Sequence, residues 1–260
     1  MDKSKMPATQ QGLDRALELL EMLAKNGAGM NISEISKTLG ITRVTASNMV
    51  QSLLQRNYIE KDQATGKLIV GYKLFELAQV YRYRYPFLYV AEEHIRSMAE
   101  KLQVRINISV LKPPGVAVLL LSKDVSLLPK MILGYIMPAH ASASGKLLMA
   151  FASQDIAVEW LNKMEFIPYT QNTITERTKL EDEFQIIRMQ NMAYEFEEMM
   201  LQRCCLAAPI RDISGQVIAS VSFSVDKERM ENDKDMLSEK LRLLAKTISS
   251  NLGYNALMYP

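Results

Sequence analysis

The sequence predicts an α+β protein, with an N-terminal winged helix-turn-helix, a linker helix and a C-terminal α/β domain. Three observations carry this. Asn31–Asp62 reads as a short helix, a tight turn at Gly40, a second helix and a strand entry. Tyr58-Ile59-Glu60 and Lys67-Leu68-Ile69-Val70 then flank a polar stretch containing Gly66, the pattern of a hairpin. From Val90 onward, strand-like alternation interleaves with helical spacing. A length of 260 residues, 48% of them hydrophobic and 23% charged, suits two modest globular domains.

Leu13, Ala16, Leu17, Leu20 and Leu23 repeat at helical spacing, giving a first helix that ends near Asn26-Gly27. Ile32, Ile35 and Leu39 mark the inner face of the second helix. Thr42 stands at the N-cap of the third, whose buried stripe is Ala46, Met49, Val50 and Leu53. Its other face carries Val44, Thr45, Asn48, Gln51 and Gln55. These are small or polar and nearly uncharged, where a merely solvated helix usually carries Glu and Lys. Helix, helix, helix, hairpin is the order of a winged helix, in which the third helix enters a major groove and the wing sets Lys61 and Lys67 beside phosphates.

A helix from about Tyr72 toward Tyr85 is stopped by Pro86. Its end, YRYRYPFLY, has two readings, stacking on nucleic acid or pairing with a second subunit; Tyr is common at interfaces, which favours pairing. Farther on, 94–102 is helical. Val104, Ile106, Ile108 and Val110 alternate with Arg105, Asn107 and Ser109 as a half-buried strand. Strands follow at 116–121, 127–133, 204–210 and 217–225, and helices at 145–151, 155–164, 179–192 and 235–252. The expected division is a flexible N-terminus at 1–9, a DNA-binding domain at 10–72, a linker helix at 73–90 and an effector domain at 91–256.

Charge is asymmetric. Residues 1–85 hold 12 Lys/Arg against 8 Asp/Glu, the remainder 19 against 21, which weakly supports a polyanion partner at the N-terminal end. The adjacent Cys204 and Cys205 form no disulfide framework, and His94 and His140 are too few for a His-rich metal site. No stretch approaches membrane-spanning length, so a reduced, cytoplasmic protein without metal or cofactor is expected.

Five blocks, GLDRALELLEMLA, SKTLGITRVTASNMVQSLLQRNYI, MPAHASASGKLLMAF, TQNTITERTKLEDEF and EFEEMMLQRCCLAAPIRD, resemble the IclR-type bacterial transcriptional regulators over about residues 10–255. The resemblance implies a winged helix, a dimerising linker helix and a GAF-like effector domain. It also implies a homodimer or dimer of dimers on double-stranded operator DNA, with a small molecule altering that binding. This chain departs from the family pattern at several positions. Where the family usually has Ser-Thr-Val-His-Arg, it has Val44-Thr45-Ala46-Ser47-Asn48; glycines are common at its Asn191 and Gln202, Asp at its Glu195, and an aliphatic residue at its Arg203.

The DNA-facing candidates are therefore Thr42, Arg43, Val44, Thr45, Ser47 and Asn48, with Lys61 and Lys67 from the wing. Asn pairs bidentately with adenine and Val or Thr methyls suit thymine, so an A/T-containing half-site is expected; Arg43, at the helix entrance, suits a phosphate. The HASASGK segment opens a helix, where free N–H groups and the dipole favour an anion such as a ligand carboxylate. By resemblance, Met137, Ala143, Ser144, Glu195, Cys205, Ser222 and Ser224 line the pocket. Arg203, on the same strand face as Cys205, either joins them or pairs with Glu197 or Glu198 in solvent; Met199 and Met200 border the site. The whole predicts a regulator that senses a small organic acid (a hydroxy, keto or sugar acid) and has no catalytic residues. The alternative is a thiol redox sensor, or an enzyme using Cys205 with His140 as base.

Overall fold

The structure, a computed structural model, describes residues 8–122 and 133–255. They fall into two compact units that divide between Tyr85 and Pro86. Among the described residues no helix is long and apolar enough to cross a membrane.

The first unit contains α1 (Ala8–Asn26), α2 (Ile32–Leu39), α3 (Arg43–Gln55), the antiparallel strands β1 (Ile59–Lys61) and β2 (Leu68–Val70), and α4 (Tyr72–Arg82). Local chemistry sets each boundary. Asn31 and Glu34 form a reciprocal capping box at the start of α2. Gly40 ends that helix at φ 62°, a left-handed geometry that Gly adopts without steric cost. The Thr42 hydroxyl accepts the Thr45 N–H at 3.2 Å and caps α3. Leu19, Leu23, Ile35, Ala46, Val50, Ile59 and Leu68 form the core. The expected α1 stripe is turned in part, because Leu13 and Leu17 are exposed and Leu19 takes the central buried place. Of the expected flexible N-terminus, 1–7 lie outside the described residues and Ala8 and Thr9 open α1.

The second unit begins with α5 (Phe87–Leu102). Phe87 and Leu88, expected in the linker, are buried in its first turn. Then come β3 (Arg105–Lys112), β4 (Gly115–Leu121), β5 (Ile136–Pro138), α6 (Ala143–Ala150), α7 (Gln154–Lys163), α8 (Arg177–Gln190), β6 (Ala193–Phe196), β7 (Arg203–Arg211), β8 (Val217–Asp226) and α9 (Lys227–Asn251). The strands form one antiparallel sheet in the order β5-β4-β3-β8-β7-β6. Ala143, Leu147, Leu180, Phe184, Ala193 and Ala207 pack α6 and α8 on one face. On the other face α9 is tied down by Tyr194 Oη to Ser238 Oγ at 3.0 Å, and by the Arg211 N–H to Ser249 Oγ. At Gly145 a side chain would collide with the Ala139 carbonyl, so α6 seats there only because a Cβ is missing.

Several expectations change. β3 is not half-buried: Arg105 through Val110 are all buried, because β3 lies inside the sheet and helices cover both faces. Its polar alternates turn inward, not to water. The expected strand at 127–133 falls almost wholly outside the described residues, while β5 and β6 are short strands the sequence reading missed. α9 begins two turns before the expected 235, capped by the Asp226 carboxylate on the Arg229 N–H.

Candidate functional site: an exposed helix face and a cavity under α6

α3 presents its outer face as its sequence spacing requires. Ala46 and Val50 are buried against α1 and α2, which turns Thr42, Arg43, Val44, Thr45, Ser47 and Asn48 to solvent. Val44 is 71% exposed, more than any packing role explains. The Thr42 and Thr45 hydroxyls lie 2.9 Å apart, so the cap also orients the first turn of that face. Beside it, a groove of about 500 Å³ brings Arg43, Ser47 and Lys61 together with Asn31, Ser33 and Gln51. The wing turn is built by Asp62, whose carboxylate accepts the Thr65 N–H at 2.8 Å and hydroxyl at 2.7 Å. These bonds hold Asp62 below the usual carboxylate range. Lys61 is exposed and Lys67 half-buried on the flanking backbone.

The second unit holds a cavity of about 260 Å³ between α6 and the sheet. Strand register builds its floor in rows, since partners across a sheet share a face. Glu195, Cys205, Ser224 and Arg105 form one row across four strands. Ala193, Ala207, Ser222 and Asn107 form the next, toward α6. Arg203 stands one step farther along β7, its guanidinium donating to Ser224 Oγ at 3.2 Å. Met137 and the first turn of α6, Ala143 and Ser144, complete the wall, with Met199 and Met200 at the border. All eight residues named from the sequence thus meet at one cavity. Arg105, Asn107, Tyr135 and Ser142 were missed.

Burial dominates the electrostatics. It pushes the Glu195 carboxyl up to about 7, although Glu195 Oε1 accepts the backbone N–H groups of Glu198 and Met199. Burial also lowers the Arg203 pKa from its ordinary value, and the nearby Arg105 charge acts in the same direction. Arg203 does not pair with Glu197 or Glu198. Glu197 binds Lys227 and the Gln202 N–H, and Glu198 binds the buried Lys146. Among the described residues no ion pair joins Arg203 to Glu195.

The wall segment 197–202 is anchored from several sides. The hydroxyls of Thr170 and Thr173 donate to the Glu197 and Glu198 carbonyls, each at 2.6 Å. Gln202, at φ 63°, and Asn191, at φ 51°, adopt left-handed backbone, which explains why glycine is common at both positions in the resembling family.

Cysteine chemistry is poorly served. Successive strand residues point to opposite faces, so Cys204 and Cys205 lie on different sides of the sheet. Burial pushes the Cys204 thiol up to about 11 and raises Cys205 further from thiolate character. His140 is engaged elsewhere. Its Nε2 lies 3.0 Å from the Ile167 carbonyl, its ring packs against Phe166 and Tyr169, and burial lowers its pKa.

Comparison with known proteins identifies both units. Residues 12–63 match the model of the IclR helix-turn-helix domain, and 82–250 that of the bacterial transcriptional regulator IclR C-terminal domain. The DNA-binding transcriptional repressor YiaJ of Escherichia coli is 29% identical over 95% of this chain and 90% of its own length. The Thermotoga maritima IclR crystal structure superposes with a TM-score of 0.81 at 25% identity, over 94% of this chain and all of that one. An IclR homolog from Microbacterium hydrocarbonoxydans, solved in complex with 4-hydroxybenzoate, also gives 0.81, at 23% identity over 93% and 98% of the two chains.

Proposed function

The chain belongs to the IclR family of bacterial transcriptional regulators, and we propose that it binds operator DNA through α3 and the wing while a small organic anion in the cavity sets that binding. It is a DNA-binding regulator of transcription and not an enzyme, as its relatives are. In this reading residues 10–72 contact DNA. Asn48, Val44 and Thr45 read base edges, Thr42 and Ser47 flank them, and Arg43, Lys61 and Lys67 hold phosphates. α4 serves as the linker helix. Its exposed Tyr72, Phe75, Val80 and Tyr83 fit pairing with a second copy, giving a dimer or dimer of dimers that acts in the cytoplasm.

The observation that carries the ligand half is the cavity itself, where buried Arg105, half-buried Arg203 and the α6 N-terminus converge on about 260 Å³. A space of this size suits a small acid. The homolog holding 4-hydroxybenzoate supports a ligand of this size. Ligand bound better by one arrangement of the dimer would shift the spacing of the two α3 helices, coupling the sites.

Fluorescence anisotropy of the full chain on duplex DNA from upstream of its own gene and its neighbours tests this. Specific retention that weakens steeply with salt and changes with one of a panel of small carboxylates is expected. Retention no better than on random duplex, or indifference to every acid, overturns the respective half.

A further inference from the structure

Two polar atoms that the fold leaves unsatisfied line the cavity. Asn107 on β3 is 3% exposed and Ser144 on α6 is 2% exposed. Among the described residues neither Asn107 Oδ1 nor Ser144 Oγ has a hydrogen-bond partner. Register accounts for Asn107. It stands between Leu121 on β4 and Ser222 on β8, with Ala207 next in the row. Leu121 and Ala207 bring no side-chain donor, and the Ser222 hydroxyl does not bond to it. A buried acceptor left unmet destabilises the fold, and a ligand that meets it recovers that loss on binding.

The two groups call for opposite chemistry. Ser144 Oγ has a proton to donate. Ala143 and Ser144 occupy the first two positions of α6, whose N–H groups have no carbonyl to bond within the helix. Donors gathered at a helix start suit a carboxylate. Asn107 Oδ1 only accepts. A carboxylate or keto oxygen offers it nothing but further lone pairs, whereas a hydroxyl offers a proton. A neutral hydroxyl does so without taking a second charge out of water. Size cannot separate a hydroxy acid from its keto analogue, because the two have nearly the same shape. A buried group that bonds a ligand hydroxyl can, since the analogue lacking the donor leaves that group unpaired.

We propose that Asn107 selects the effector by accepting a hydrogen bond from a ligand hydroxyl while the ligand carboxylate sits on the start of α6, so that the cavity takes a hydroxy acid in preference to the keto acid of the same skeleton. This rests on the cavity being the effector site.

Isothermal titration of the full chain with matched acids tests it: 2-hydroxybutyrate against 2-oxobutyrate, 3-hydroxybutyrate against acetoacetate, and butyrate as the parent of both pairs. The expected result is a hydroxy acid bound about tenfold or more tightly than its keto partner and than butyrate, with the gap falling below about threefold in Asn107→Leu. The lost oxygen makes no bond in the fold, so the melting temperature of that variant should not fall. Asn107→Ala replaces it if its melting shows misfolding. Keto acids or butyrate bound as tightly as the hydroxy acids, or a gap that survives the loss of Asn107, overturn the hydroxyl reading while leaving an acid-binding cavity intact. Tighter binding of 2-aminobutyrate than of 2-hydroxybutyrate does the same. Binding of none of these acids overturns both.

Discussion

On the outer face of α3, Val44, Ser47 and Asn48 stand in solvent, whereas around the cavity Arg105, Asn107, Ser142, Ser144, Glu195 and Ser222 are buried. The first surface, proposed above to meet DNA, is open, and its residues cost the fold little. The second holds Glu195 and Arg105 out of water, and Lys146 and Glu198 are buried in the elements that wall it, where each loss is felt by the domain. Recognition on one side is thus separable from stability, and on the other it is not. Substitutions at the two sites should therefore behave differently.

The largest effect is expected at Lys146, 1% exposed and paired with Glu198 at 6%. Lys146→Met leaves a buried carboxylate without its cation and should cost about 3–5 kcal/mol of the second unit's stability, read by urea unfolding. Adding Glu198→Gln should recover part of that loss. Should Lys146→Met prove neutral, the claim that the elements walling the cavity depend on buried charge fails.

Glu195 comes next. Its folded pKa of about 7 lies above the ordinary glutamate value of 4.5, so the folded state holds the proton longer than the unfolded chain does. Stability from this group is present below about 4.5 and is lost as pH rises toward 7, by on the order of 3 kcal/mol. Glu198 shifts in the same direction and His140 in the opposite one, so the informative quantity is a difference. The melting temperature of Glu195→Gln minus that of the wild type should climb across this window; a flat difference would remove Glu195 as its source.

On the open face, Asn48→Ala should weaken operator binding by about 1–3 kcal/mol while leaving binding to random duplex and the melting temperature unchanged. Equal loss on both DNAs would mean that Asn48 contacts backbone and not bases. The smallest effect is expected at Thr42→Ala, which removes the α3 cap and should lower the first unit's stability by about 1 kcal/mol. A larger cost would show that this face is also structural, and would blur the contrast.

The same contrast decided what could be read from sequence. The helix-turn-helix was legible because its signals are local: a capping box, a Gly turn, a cap and one helical stripe. The cavity was legible only where strand alternation and family resemblance coincided, at Cys205, Ser222, Ser224 and their neighbours. Arg105 and Asn107 were missed because alternation shows only that two faces differ. It does not reveal that β3 lies between β4 and β8, with helices over both faces, so polar residues were assigned to water. β5 and β6, at three and four residues, are too short for any periodicity to show. Leu13 and Leu17 fitted a helical stripe whose neighbours bury Leu19 instead.

Gly145 gives the cavity a property that none of its lining residues does. With a hydrogen where other residues carry a methyl, α6 settles against the Ala139 carbonyl, and that depth fixes the height of the ceiling over the sheet. On the function proposed above, ligand length is gauged by an absent atom. Gly145→Ala should jack the helix outward and let a longer acid in, changing which metabolite the regulator reports without altering one residue that touches it.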